Sequence, residues 1–187
     1  YLKLGGYSHS WLKHQKNGIV EPMKITDNMK TGSIVDAILT EPHKADMTDP
    51  LYPACKKISF KIREKFGALI TQFEKQVSFT AEIQHKGFIM KTTGRMDFGL
   101  PGHAVIDLKV TMSKDVVTLI NFMGYFNQIW HYCKMYKVDK AYLMVHSVPL
   151  NETFVYYYDC SSNLNQFWGN KVLDFGTVPA EQKILPF

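Results

Sequence analysis

The sequence predicts a mixed α/β fold, of the α+β kind, with a mixed central β-sheet flanked by helices. Helical spacing dominates the first 75 residues. Short alternating runs separated by turn signals occupy residues 77–110, and the remainder reads helix, strand, strand, helix. That order fits neither a regular βαβ array nor a bundle of helices.

Taken in order, residues 7–16 read as a short helix with Ser8 or Ser10 at its N-cap. Residues 20–30 read as a loop. Residues 31–40 form a second helix: Thr31 can cap it, Ile34, Val35, Ile38 and Leu39 share one apolar face, and Pro42 stops it. Pro50 and Pro53 make residues 45–54 irregular. Residues 56–75 are a longer amphipathic helix, with Ile62, Phe66, Leu69, Ile70 and Phe73 at helical spacing. Its other face carries Lys57, Lys61, Arg63, Glu64 and Lys65, a mixture that ordinarily marks a solvated surface.

Four strands follow at residues 77–84, 87–92, 94–100 and 104–110, with turns at His85-Lys86-Gly87, Thr93-Gly94 and Pro101-Gly102. Residues 114–136 read as one helix, with Asp115 near its positive N-terminal end. Residues 140–147 and 153–159 are apolar enough for central strands. A last helix spans residues 161–172, and the tail beyond is irregular.

The 187 residues are expected to form a single domain, residues 1–187. With 45% hydrophobic and 21% charged residues the composition is globular, which excludes disordered and collagen-like chains. No apolar run approaches the roughly 18 residues of a membrane span. The three cysteines form no CxxC or Cys/His cluster, so neither a zinc ribbon nor a disulfide framework is expected, and a reducing compartment fits. There is no signal-peptide pattern, and a cytoplasmic location is expected. The chain begins at Tyr1 rather than Met, which leaves room for residues before it. The net charge of +5 permits a nucleic-acid partner without establishing one.

The chemistry concentrates in one hairpin. Along a strand, Arg95, Asp97 and Gly99 share a face; so do Val105, Asp107 and Lys109. A turn centred near Gly102 sets Asp97 directly opposite Asp107, with Cβ atoms roughly 5 Å apart. Two facing carboxylates repel unless a proton or cation lies between them. A hard divalent ion, Mg²⁺ or Mn²⁺, resolves the conflict with carboxylate oxygens at about 2.1 Å. Lys109 places an ammonium beside that site, where it can orient a water or steady a phosphate. The Leu108 carbonyl offers a further oxygen. The plain alternative is two exposed aspartates and a surface lysine.

Asp97, then Asp107-Leu108-Lys109, resembles the PD-(D/E)XK nuclease signature. The resemblance extends to Tyr7-Ser8-His9-Ser10-Trp11-Leu12, similar to the SxSxL opening of exonuclease VIII (RecE-type) and lambda-exonuclease-like phage nucleases. Gly32 to Pro42 resembles their GxxxHxxLLEP helix, and Gly94-Arg95-Met96-Asp97 their GRxD motif. Tyr125 to Tyr132 resembles the YxxQxxxY helix. Asp36 stands where the family often carries a histidine, which lambda-exonuclease-like relatives do without. His43 lies beyond Pro42 and reads as a surface histidine.

The resemblance implies a restriction-endonuclease-like core and phosphodiester hydrolysis with Mg²⁺, for which Mn²⁺ can substitute. It implies Asp97, Asp107 and the Leu108 carbonyl as metal ligands, with Asp36 and Glu82 as further candidates, and Lys109 as holder of the attacking water. Glu82 also reads as a plain exposed strand residue. Gln128 joins the catalytic set, and Tyr125, Gln128 and Tyr132 share one helix face, which plain packing also explains. Ser8, Ser10, Arg95, Tyr125, Tyr132, Lys57 and Lys61 are the candidate DNA contacts. The implied activity is a 5′-to-3′ exonuclease on double-stranded DNA ends, leaving 3′ overhangs for recombination or repair in a phage or prophage setting. Its implied partners are a single-strand-annealing recombinase and identical copies in a trimeric or tetrameric ring. Two alternatives stand: a structure-specific endonuclease of the same superfamily, and a catalytically silent DNA-binding protein on the scaffold.

Overall fold

The structure is a computed structural model that describes residues 25–85 and 88–160. The helices expected at residues 7–16 and 161–172, with Ser8 and Ser10, lie outside the described residues.

The first described helix, α1 (Asp27–Thr40), starts a turn earlier than the apolar spacing predicts. Thr26 caps it by accepting the Met29 N–H at 3.3 Å, and Asp27 sits in its positive first turn. A short 3₁₀ turn, Pro42–Lys44, follows. Helix α2 (Tyr52–Ile70) contains Pro53 in its first turn, where a missing N–H costs nothing. It ends at Ile70, because residues 74 and 75 already belong to the sheet.

Strands β1 (Glu74–His85), β2 (Phe88–Leu100) and β3 (Ala104–Thr111) form an antiparallel meander. The turn expected at Thr93-Gly94 is absent: β2 runs straight through. Gly94 lies opposite Phe79 on β1, and a Cβ there would come within 2.2 Å of the Phe79 ring. The glycine makes room for an aromatic ring rather than for a bend.

The single helix expected over residues 114–136 is two. Helix α3 (Val116–Met123) is capped by Asp115, which accepts the Thr118 N–H at 3.0 Å. Gly124, at φ 64°, ends it in the left-handed conformation and starts α4 (Tyr125–Tyr136). Strands β4 (Lys140–Ser147) and β5 (Glu152–Asp159) close the five-stranded sheet in the order β1-β2-β3-β4-β5. β3 and β4 are parallel, joined by the α3–α4 crossover, and β4 and β5 are antiparallel.

Each sheet face buries a core. Phe98, Ile106, Leu108, Tyr142 and Met144 pack with α1 and α2; Met96, Val105, Leu143 and Val145 pack with α3 and α4. In β3 the alternation follows the expected pattern, so Asp107 and Lys109 share a face with Val105. Strands β2 and β3 pair only at Leu100–Ala104, Gly99–Val105 and Phe98–Ile106. Beyond those pairs the two strands separate, and a cleft opens between α1, the sheet and the α3–α4 pair.

Candidate active site

The cleft measures about 590 Å³. Asp36, Arg95, Asp97, Asp107, Lys109 and Gln128 line it, as do Leu108, Tyr125 and Tyr132. Continuing the β2–β3 register sets Asp97 opposite Asp107, at the first position past the paired residues. There Asp97 Oδ2 accepts the Leu108 N–H at 2.7 Å. The carboxylate thus takes the place of a ladder bond that the separating strands no longer make. Within a strand, a residue's N–H and C=O point to the same neighbour, so the Leu108 carbonyl is also turned toward β2.

The strand departs from ideal geometry at this point. Met96 enters one core and Phe98 the other, so the side-chain alternation of β2 breaks at Asp97. On β1 the break has a counterpart. Gln76 is the residue whose register would meet Asp97; it is skipped in the pairing and holds a φ of 52°. Its Nε2 donates to Asp36 Oδ1 and Oδ2, both at 2.9 Å, and to Thr40 Oγ1 at 3.0 Å. Thr40 Oγ1 in turn donates to the Asp36 backbone carbonyl at 2.8 Å.

The site concentrates negative charge. Asp107 is 1% exposed and forms an ion pair with Lys109, whereas Asp97 lies deep in the cleft with part of its surface open. Burial, and then the charges of Asp107 and Asp36, push the Asp97 carboxyl well above the usual carboxylate range. Burial also raises Asp36, against the Gln76 hydrogen bonds and the charge of Arg95. For Lys109, burial alone would favour the neutral amine. The charges of Asp107 and Asp97 outweigh it, and the ammonium is held more firmly than usual. Its Nζ also lies 5.3 Å from the centre of the Tyr125 ring. Gln128 Nε2 donates to the Tyr132 hydroxyl, and Tyr132 packs edge-on against Phe79 at 5.7 Å.

This donor set fits a hard divalent cation. Two carboxylates and a nearby backbone carbonyl are oxygen ligands, and Asp97 carries a charge that burial and its neighbours disfavour in the absence of a cation. Among the described residues, no three His, Cys, Asp or Glu side chains converge tightly enough to enclose a metal ion. Mg²⁺ does not require such a cage, since it keeps several waters and takes one or two carboxylates. Asp97, Asp107 and the Leu108 carbonyl would hold it.

Not every expected residue lies here. Glu82 is exposed opposite Lys91 on β2, six residues along β1 from Gln76. At about 3.3 Å per residue that is about 20 Å along the strand, and Glu82 does not line the cleft. Lys57 and Lys61 are exposed on α2, away from the cleft lining. Gln76 and Thr40 are the residues that sequence reasoning missed. A left-handed glutamine has no sequence signature, since the propensity of a non-glycine residue points away from that conformation.

The sequence matches no protein-family profile and no curated protein. Solved structures do resemble it. The protein named "Putative exonuclease" from Eubacterium rectale superposes with a TM-score of 0.56 at 20% identity, covering 86% of this chain and 67% of that one. A phage related exonuclease from Haemophilus somnus 129PT gives a TM-score of 0.34 at 15% identity, over 66% of this chain and 57% of that one. The Eubacterium rectale likeness establishes a shared fold: a mixed sheet flanked by helices. No helix among the described residues is long and apolar enough to cross a membrane.

Proposed function

We propose that this chain is a Mg²⁺-dependent deoxyribonuclease, an exonuclease that degrades one strand 5′ to 3′ from double-stranded DNA ends. The observation that carries the reading is the meeting of Asp97, Asp107 and Lys109 in one cleft, at the point where β2 and β3 separate. The exonuclease name of the Eubacterium rectale neighbour supports it.

A bound Mg²⁺ or Mn²⁺ would supply Lewis-acid stabilisation of charge on the scissile phosphate and acidify a water. Asp97 and Asp107 would hold the cation. Asp97 is kept in register by the Leu108 N–H, so its carboxylate is preorganised rather than free to rotate. Lys109 acts as an ammonium, holding the attacking water and a phosphate oxygen, because the neighbouring carboxylates keep it protonated. Arg95, exposed on the lining of the cleft, meets the DNA backbone. Gln128 and Tyr132 form the facing wall and fix the strand being cut. The product carries a 3′ overhang for an annealing recombinase, and identical copies form a ring around the duplex.

The test is digestion of linear duplex DNA carrying a label on one strand, with Mg²⁺ and with EDTA. Progressive loss of the 5′ strand only with Mg²⁺ is expected. Cutting of closed circles would indicate an endonuclease, and binding without cutting a silent scaffold. Intact cleavage by a Lys109→Ala protein would remove Lys109 from the reaction.

A further inference from the structure

Gln76 has no place in the chemistry above, yet its geometry is costly and specific. A glutamine at φ 52° sits in the left-handed conformation, which is strained for a residue that carries a Cβ. It also forfeits its pairing on β2. Strain of this kind persists where surrounding structure compels it, and it clusters at functional sites. What the conformation achieves is visible: one amide group meets both oxygens of Asp36, and its second hydrogen meets Thr40. The amide bridges α1 to the sheet beside Asp97.

The clamp also settles a competition between charges. Arg95 acts electrostatically on Asp36, and on Glu41, but forms no ion pair with either among the described residues. Without the amide, Asp36 can turn to the guanidinium. That pairing would cancel a negative charge beside the cation site and occupy the arginine that faces phosphate.

We infer that Gln76 is a positioning residue: it fixes the Asp36 carboxylate toward the Asp97–Asp107 cleft and thereby sets the protein's affinity for a divalent cation. Asp36 does not close a three-carboxylate cage. It contributes its charge to the site, and that contribution depends on orientation. The inference rests on the cation-binding reading of the cleft, and the two are tested by separate comparisons.

The experiment measures Mn²⁺ binding directly, by electron paramagnetic resonance and calorimetry, in protein without DNA. Wild type, Asp97→Asn, Asp36→Asn, Gln76→Met, Gln76→Asn and the double variant Gln76→Met/Asp36→Asn are compared, each checked for cooperative melting. Loss of an outer partner of this sort weakens metal binding by on the order of tenfold or more, which is expected for Gln76→Met. Gln76→Asn tolerates the left-handed backbone but falls short of Asp36, and should weaken binding equally. The double variant should bind no worse than Asp36→Asn alone, since the amide acts through that carboxylate. Wild-type affinity in Gln76→Met, wild-type affinity in Gln76→Asn alone, or additive losses in the double variant would each overturn the role of Gln76. Absence of Mn²⁺ binding in wild type, or its survival in Asp97→Asn, would instead overturn the cation site itself.

Discussion

Asp97 accepts the backbone N–H of Leu108 at 2.7 Å just where the β2–β3 ladder ends. The bond orients the carboxylate, but it does not relieve the crowding of charge around it. Burial, Asp107 and Asp36 together raise the Asp97 pKa well above its ordinary 3.8. Between that value and the raised one, the folded chain binds a proton that the unfolded chain has released. Rising pH therefore removes stability across this window. Asp36 is raised too and acts in the same direction. The exposed carboxylates whose pKa is lowered, such as Asp46 and Asp115, act oppositely but only at more acidic pH. In EDTA, the wild-type melting temperature, measured against that of Asp97→Asn so that the opposite contribution of buried His146 cancels, should fall as pH rises above the ordinary carboxylate value. Asp97→Asn, which can still accept from Leu108, should show a shallower fall. Mn²⁺ should restore wild type at pH 8 and leave Asp97→Asn unmoved. Parallel pH curves for the two proteins would show that Asp97 is not the source of the instability.

Gly94 and Phe79 give a second prediction. A Cβ on residue 94 would meet the Phe79 ring at 2.2 Å. A ring that yields moves against its packing on Tyr132 and His131, which lie at 5.7 and 6.0 Å. Gly94→Ala should therefore destabilise the fold by about 1–3 kcal/mol in urea melts, the usual cost of overpacking. Because Tyr132 holds Gln128, cleavage should fall in the same variant. A fully stable Gly94→Ala protein would mean that Phe79 has an alternative seat.

These two places show how much was legible in the sequence. The opposition of Asp97 and Asp107 could be read because hairpin register follows from a turn centred on Gly102, and alternation alone set Lys109 beside Asp107. The early helix carrying Asp36 was visible from its apolar stripe, although its cap at Thr26 was not. Gly94 and Gly124 each do something other than their local sequence suggests. A glycine beside a threonine resembles a turn, but its reason lies across the strand in Phe79. A glycine within a helical pattern resembles a tolerated interruption, whereas φ 64° at Gly124 divides the helix. Glu82 is a metal-site candidate only through the resemblance, and the long β1–β2 hairpin carries it far along β1. Gln76 was illegible because its role depends on contacts with residues 36 and 40.

Lys109 and Tyr125 yield a third prediction. The ammonium lies against Asp107, whose side chain is 2% exposed, and 5.3 Å from the Tyr125 ring centre. Lys109→Ala should lower kcat by on the order of 10²-fold or more, as removal of a single preorganised charge donor does. It should also lower the melting temperature in EDTA, since the Asp107 carboxylate loses its counter-charge. Mg²⁺ should recover the melting temperature but not the cleavage rate. Tyr125→Phe should behave close to wild type, because the ring face rather than the hydroxyl meets Lys109, while Tyr125→Ala should lose activity. Equal losses in the Phe and Ala variants would reassign the effect to the hydroxyl.

Gly32 tests where DNA would run in the proposed function. It lies within α1, lines the cleft, and has open space where a Cβ would be. No packing need opposes a methyl group, and alanine is favoured over glycine by about 1 kcal/mol in a helix interior. Gly32→Ala should therefore melt at a higher temperature than wild type in the absence of DNA. The same methyl projects toward the space that the substrate backbone occupies if it crosses α1 on its way to Asp97 and Asp107. In that case KM for duplex ends should rise while kcat changes little, because the carboxylates and Lys109 are untouched. A stabilised protein with unchanged KM would place the DNA path along the Arg95 side of the cleft instead, clear of α1.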